Sequence, residues 1–511
     1  MPHKHRIMNA ISQTLFKEMR LNDSLVRDIR RLNPWWEGKS GTKLPPHKRH
    51  VVGMIHRRLK ARTAPIIVVR GPRQIGKTTA QLHVIEDLLK QGTPPMQILR
   101  VSFDELPSLD EKKISEPVLR IVEWYEDVIL QNKINDAAHE GKPTYLFFDE
   151  VQNLDRWAPQ LKFLVDNSTT QVVVTGSSSL RIEQGRDSLA GRISTIEAGV
   201  LSLTEIAHFY NSELGKPFLE DNGLDPLTQR AFWEELAIHG QKRQRDRDHV
   251  FAKFSARGGY PLAHLRGEVP WPQIADQLNE TVVRRVIQHD LRIGERGRKR
   301  DEHLLEELFT LSCRYCGQSP DILLFAREVR RALDANIGSG RVQHYLKFLS
   351  DALLIRLVKP LEIRLKKKRG ANKIVLSDHS LRASWLQEIV PLDPEALRKE
   401  PHVTTLAGHI AESATGAALA TINGLDIAYL PERQSNPEVD YIITIGTIRI
   451  PLELKYQRKI DYLRDTEGLR TFLENKYNNA PFGLLITQTD DVGVEDPRII
   501  TMPLSTFLLL R

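Results

Sequence analysis

The stretch Val69-Arg70-Gly71-Pro72-Arg73-Gln74-Ile75-Gly76-Lys77-Thr78-Thr79 decides how the rest of this chain reads. It follows the apolar run 66–69 and opens an amphipathic segment carrying Leu82, Val84, Ile85 and Leu88, so it joins a strand to a helix. Gly71 and Gly76, with Lys-Thr after the second, form the pattern in which backbone N–H groups wrap a phosphate at a helix N-terminus. The reading makes Gly71, Arg73, Gly76, Lys77, Thr78 and Thr79 an ATP-binding loop. Lys77 reaches the β- and γ-phosphates, and the Thr78 hydroxyl ligates Mg²⁺.

Working outward, short apolar runs at 98–103, 145–148 and 172–174 alternate with helical stretches near 118–131 and 159–165. Such alternation predicts an α/β fold with a parallel sheet covered on both faces, over residues 61–202. The run 144–148 ends in Asp149-Glu150. Asp149 is placed to hold Mg²⁺ and Glu150 to polarise an attacking water, which argues for hydrolysis rather than binding alone. The next strand end, Thr175-Gly176-Ser177-Ser178-Ser179, sets hydroxyls where a γ-phosphate would lie, so Thr175 and Ser177 are candidate sensors. A helix N-cap is the other reading of that cluster.

The chain has 511 residues, room for about three domains of ordinary size. Hydrophobic residues at 41% and charged residues at 27% exclude disordered and fibrous classes. No apolar run approaches the roughly 20 residues that span a bilayer, and residues 1–11 lack an apolar signal core, so a cytoplasmic location without a membrane partner is expected. Cys313 and Cys316 are too few for a disulfide scaffold; with no second pair nearby they read as two helix residues. The net charge of +8 is concentrated: residues 1–60 carry 14 Lys/Arg against 4 Asp/Glu, and residues 341–370 carry 9 against 2. Two basic blocks on a mildly acidic body suit a polyanion partner; a solvated face with a basic tail is the alternative.

Residues 203–300 read as helical, broken by Gly258-Gly259-Tyr260-Pro261. Helices at 305–311, 324–333 and 342–354 follow, and the set resembles a winged helix-turn-helix spanning 301–374. The third would be the recognition helix, with Arg341, His344 and Lys347 off its apolar face. Arg364, Lys366, Lys367, Lys368 and Arg369 fall on the expected wing and suit a phosphate backbone read by shape or charge. Arg292, Arg296, Arg298, Lys299 and Arg300 could line the same path; a protein-docking wing is the other possibility. From 375 to 511 strands return. Asp440 lies on one, Glu453 and Lys455 share a face of the next, and Glu412 sits on an amphipathic helix. If the two strands form a hairpin, the carboxylates can hold Mg²⁺ beside a lysine and position a water for phosphodiester attack.

The motifs from Arg70 to Gln74, Asp149-Glu150-Val151-Gln152, Thr175 to Ser179, and Leu189-Ala190-Gly191-Arg192 together resemble a prokaryotic AAA+ ATPase of the ORC/STAND-like branch, whose lid carries Gly-Gly-Tyr-Pro. The resemblance implies that Arg192 acts in trans as an arginine finger, in a homo-oligomer that is usually a hexameric ring. It also implies that Pro261 packs on adenine and that the chain ends in a restriction-endonuclease-like domain. Glu412, Asp440 and Glu453-x-Lys455 are similar to the PD-(D/E)xK nucleases of the junction-resolving type, which use a helical glutamate; Val439 stands where their proline would be. The family implies Mg²⁺ at Glu412, Asp440 and Glu453, with Lys455 catalytic, in either a cutting domain or one that only holds DNA. The expected division is a basic lead-in (1–60), ATPase core (61–202), helical lid (203–300), winged helix (301–374) and nuclease-like domain (375–511). The expected function is an ATP-driven motor or remodeller on branched DNA. The alternatives are a STAND-like signalling or defence switch and an ATP-gated nuclease.

Overall fold

A computed structural model describes residues 21–111, 113–176, 187–220, 223–289, 301–362, 370–432, 437–490 and 492–511. The residues expected at the γ-phosphate (Ser177), on the wing (Arg364, Lys366, Lys367, Lys368, Arg369) and in the second basic cluster (Arg292, Arg296, Arg298, Lys299, Arg300) lie outside them. The chain forms two compact units, one running up to Arg70 and resuming at Gly76–Ile196, the other comprising Gly71–Ile75 and Glu197–Arg511.

The first unit is built on a five-stranded sheet of β1 (Ile66–Arg70), β2 (Ile98–Ser102), β3 (Thr144–Asp149), β4 (Thr170–Gly176) and β5 (Ile193–Glu197), in the order β2-β3-β4-β1-β5. The pairs β2·β3, β3·β4 and β1·β4 are parallel. The inner strands are nearly continuous runs of β-branched and aromatic residues because both of their faces are buried. Register aligns the carboxyl ends: Val69 lies opposite Thr175, Thr175 opposite Asp149, and Asp149 opposite Ser102. In open α/β sheets this edge, where strand order reverses around β1, is where ligands bind.

The first 60 residues were expected as a separate lead-in; from Leu21 on, the described part packs into this unit. The helix Asp23–Leu32 is N-capped by Asn22 and buries Leu25, Ile29 and Leu32. Asn33 then imitates a strand partner for the edge strand β2, accepting from the Arg100 N–H and donating to the Arg100 carbonyl, both at 2.7 Å. Trp35 and Trp36 both donate their indole N–H to the Ile98 carbonyl, at 3.1 and 2.9 Å. An open sheet edge is thereby covered, and its backbone groups are satisfied.

The second unit carries a seven-stranded mixed sheet: β6 (Ile355–Pro360), β7 (Lys373–Leu376), β8 (Asp426–Leu430), β9 (Val439–Ile445), β10 (Ile448–Lys455), β11 (Gly483–Thr487) and β12 (Ile499–Pro503), in the order β12-β11-β10-β9-β8-β6-β7. The antiparallel pair β6·β7 follows the helices Glu302–Arg314, Ile322–Leu333 and Ser339–Asp351, the order expected of three helices and a wing. That pair also continues the C-terminal sheet, since Lys359 and Pro360 of β6 pair with Ala428 and Tyr429 of β8. The division expected at 374/375 therefore falls within β7, inside one sheet. The helices expected as a lid are tied to the same body. Trp233 stacks on Phe507 with 6.3 Å between centroids, Arg247 donates to Asp490 and Thr506, and a Cβ at Gly240 would lie 2.2 Å from the Thr506 hydroxyl oxygen.

Candidate functional site

In the first unit, chemistry gathers at the aligned strand ends. Gly76 has φ +87°, a left-handed conformation that favours glycine, and it caps the helix Lys77–Lys90 at the end where N–H groups are unsatisfied by the helix itself. Lys77 is buried in the first turn, with Thr78 and Thr79 half-buried beside it. The Thr78 hydroxyl donates to Asp149 Oδ2 at 2.7 Å, and the Thr175 hydroxyl donates to Asp149 Oδ1. Burial pushes the Asp149 carboxyl up; the two hydroxyls oppose that, Glu150 adds to it, and Arg100 opposes it from 3.7 Å. Glu150 adopts a left-handed backbone (φ 50°), donates its N–H to the Thr175 carbonyl at 2.9 Å, and receives the Gln152 amide on its carboxylate. The paired acids thus have different partners. Asp149 is enclosed by hydroxyls, and Glu150 is steadied by a neighbouring amide.

Sequence reasoning missed two members of this network. Arg100, 4% exposed on β2, bonds Gln81 Oε1 and Glu105 at 3.3 Å each, and Gln81 donates to the Thr175 hydroxyl at 3.2 Å. A closed circuit results: Asp149, Thr175, Gln81, Arg100 and back to Asp149. The signal for Arg100 was present as a lone cation inside an apolar strand run. Arg192, the expected finger, sits just before β5 and forms a two-pronged ion pair with Asp166, its second contact at 2.9 Å.

An oxygen-only donor set, a hydroxyl beside a buried carboxylate that burial makes reluctant to ionise alone, fits a small hard cation. Thr78 and Asp149 are the residues that would hold Mg²⁺, and Lys77 the one that would meet the phosphates.

In the second unit, Gly71 is packed so closely that a Cβ would lie 2.2 Å from the Ala198 carbonyl oxygen; only glycine fits. Arg73 is half-buried in the same short segment. Pro261 opens the helix Pro261–Leu265 at its first turn, where its missing N–H costs nothing. The preceding glycines are held from two sides: Gly259 N–H donates to Asp378 Oδ2 at 2.9 Å and its carbonyl accepts from the Leu201 N–H at 2.7 Å. Arg341 and Lys347 lie on the exposed side of the helix Ser339–Asp351; Arg341 pairs with Asp301 at 3.0 Å.

The C-terminal carboxylates also come together. β9 and β10 form the expected antiparallel hairpin, bringing Asp440 beside Glu453 and Lys455, and the helix Thr404–Leu419 supplies Glu412. All four line a cavity of about 790 Å³. Lys455 Nζ lies 2.7 Å from Glu453 Oε1, and the Leu454 N–H donates to Asp440 Oδ2 at 2.8 Å. A residue that sequence reasoning passed over stands among them: Lys373, at the start of β7, donates to Glu412 and lies 3.6 Å from Asp440 Oδ1 and 3.4 Å from Glu438. Burial alone would push its ammonium down, but Glu412 and Asp440 more than reverse that and hold the group charged. Among the described residues no three His, Cys, Asp or Glu side chains form a group that can hold a metal ion. The expected Mg²⁺ set of Glu412, Asp440 and Glu453 thus does not fit a metal as it stands.

Residues 63–207 match the family model described as an AAA domain, and residues 249–391 match a domain of unknown function (DUF8612). The chain carries a P-loop AAA+ ATPase domain. Such a fold binds nucleotide, usually with Mg²⁺, and the match covers the loop, Asp149, Glu150, Thr175 and Arg192. Uncharacterised proteins of Mycobacterium tuberculosis and Mycobacterium bovis are each 23% identical over 398 residues, 77% of this chain and 70% of theirs. Among solved structures, the Thermotoga maritima RuvB Holliday junction branch migration motor is 14% identical, with 67% of this chain and 93% of that chain covered and a TM-score of 0.27. A Pyrococcus horikoshii STAND protein with a tetratricopeptide repeat sensor is 12% identical, with 75% and 49% covered and a TM-score of 0.27. Likenesses this slight carry no argument about function. Among the described residues no helix is long and apolar enough to cross a membrane.

Proposed function

We propose that the chain hydrolyses ATP and uses the cycle to move or remodel DNA, branched or junction-like in form, with its C-terminal domain holding the substrate. The observation that carries the hydrolytic part of this reading is Asp149 enclosed by the Thr78 and Thr175 hydroxyls, with Glu150 at the next position. Bound ATP with its Mg²⁺ supplies the scissile anhydride and the charge that steadies its phosphates. Thr78 and Asp149 hold the ion, Lys77 meets the phosphate oxygens, and Glu150 accepts a proton from the attacking water at its carboxylate. Thr175 links Asp149 to the end of β4 and so to the phosphate position. Arg192 serves a neighbouring copy in a ring, a hexamer by family likeness, once it leaves Asp166.

The exposed row of Arg341, His344 and Lys347, with the basic sequence 364–369, supports a DNA partner recognised by its backbone. The test is ATP turnover alone and with forked, four-way and plain duplex DNA. Stimulation by a branched form is expected; no stimulation by any of the three overturns the DNA reading.

A second reading, a nucleotide-dependent signalling switch, is favoured by one contact. The Gly258-Gly259 element is bonded to Asp378, which caps the helix His379–Leu386, so lid and C-terminal body form a continuous structure that nucleotide state could displace together. Slow turnover indifferent to DNA, with assembly set by the bound nucleotide, would select it.

A further inference from the structure

The C-terminal cavity holds more than a cluster of acids. Glu412, Asp440 and Glu453 are each at most 9% exposed, and Glu453 Oε2 is a buried oxygen with no hydrogen-bond partner although its residue lines the cavity. A buried carboxylate oxygen without a donor is costly and signals a site arranged for something else. For the neighbouring carboxylates, Glu412 and Asp440, a cation is already present in the chain. Lys373 is 1% exposed, is anchored by the pairing of its backbone with Val358 of β6, and is not a surface side chain that swings in by chance. Besides the contacts with Glu412, Glu438 and Asp440, its ammonium donates to the Asp440 carbonyl at 3.2 Å. It also lies 5.1 and 5.2 Å from the ring centres of Tyr429 and Tyr441. Carboxylates, a carbonyl and two aromatic faces make a complete cage for one positive charge.

We propose that Lys373 is the resident cation of this cavity: its ammonium takes the place a divalent metal ion would hold between Glu412 and Asp440, and the native chain loads no divalent ion there. A metal brought to the same carboxylates would sit within a few ångström of a like charge that cannot move away, because the lysine stem is fixed at a strand end. Removing that charge frees the Glu412 and Asp440 oxygens and adds them to the unpartnered oxygen of Glu453. The cluster is thus a latent divalent-cation site. The inference does not depend on the ATPase or DNA reading, since it concerns ion binding without nucleotide or DNA.

The test is a Mn²⁺ titration of the full chain, free of nucleotide, following the electron paramagnetic resonance signal of unbound Mn²⁺. Wild type and Asp440→Asn are expected to be indistinguishable. Lys373→Met should gain one Mn²⁺ site, tighter by roughly tenfold or more than anything in wild type, and Lys373→Met with Asp440→Asn should lose it. Lys373→Gln serves as the second variant, with circular dichroism confirming the fold. A wild-type Mn²⁺ site that Asp440→Asn abolishes overturns the proposal, and so does a folded Lys373 variant that gains no site. If neither lysine variant folds, wild type against Asp440→Asn decides alone.

Discussion

Two clusters of buried acid on strand ends organise this molecule, and they are neutralised in opposite ways. Asp149 takes its hydrogen bonds from neutral hydroxyls, those of Thr78 and Thr175, while the Arg100 guanidinium lies at 3.7 Å and is shared with Gln81 and Glu105. Glu412 instead takes its hydrogen bond from an ammonium, that of Lys373, which also lies 3.6 Å from Asp440. A carboxylate hydrogen-bonded only by hydroxyls keeps its charge available for an incoming ion. One that meets a fixed lysine has spent it on the fold. The first arrangement suits a site that turns over; the second suits one that is set once, when the chain folds.

The harshest way to break this contrast is at Lys373. Lys373→Met leaves Glu412 buried without its partner and should lower stability by about 3–5 kcal/mol, read from urea denaturation. Adding Glu412→Gln removes the stranded charge, so the double variant should recover part of that loss. Purely additive losses would mean that the two groups are not coupled, and the contrast would fail.

The next test strikes the other cluster. Asp149→Asn keeps the shape and both threonine hydrogen bonds possible but removes the charge. ATP turnover should fall by roughly a hundredfold to a thousandfold, while stability changes little or rises because a buried carboxylate is gone. A stability loss as large as that at Lys373 would show that Asp149 is a structural ion like Glu412.

How far these clusters were legible in the sequence follows from how their parts are encoded. Asp149, Thr78 and Thr175 lie within short motifs at strand ends, where spacing alone determines proximity, and the parallel sheet needed only alternating apolar runs. The β9·β10 hairpin was readable for the same reason, two strands around Gly446. Lys373 was not, because it reaches Glu412 across 39 residues and Asp440 across 67, through a strand pairing that no local pattern announces. The same holds for Asn33, whose amide pairs with Arg100 of β2 across 67 residues, and for the joining of β6 to β8, which carries the sheet across an expected boundary. In both missed cations, Arg100 and Lys373, the accessible clue was a single charge in an apolar strand.

A gentler probe of the C-terminal cluster uses acidity. Glu453 is pushed up to about 8, first by burial and then by Asp440, with Lys455 opposing. A carboxyl raised in the folded state binds its proton more tightly there than in the unfolded chain, so stability should fall as pH rises from the ordinary carboxylate range to about 8. Glu453→Gln cannot titrate and should flatten that decline, seen as a smaller drop in the urea midpoint between pH 5 and pH 8. An unchanged slope would place the pH dependence elsewhere.

The smallest expected effect sharpens the contrast most, because it asks whether distance alone separates the clusters. If Arg100 acts on Asp149 only through space from 3.7 Å, Arg100→Met should raise the Asp149 carboxyl further, since Arg100 is one of the groups holding it down against burial. The acidic limb of the turnover against pH profile should then move to higher pH, by roughly one unit or less. Turnover on the plateau should change little, because Thr78 and Thr175 still position the carboxylate. Loss of turnover at every pH would instead show that Arg100 positions the Gln81 and Thr175 side of the circuit. Arg100→Lys separates the two cases: a lysine restores the charge and so the pH limb, but cannot reproduce the fork that bonds Gln81 and Glu105 together.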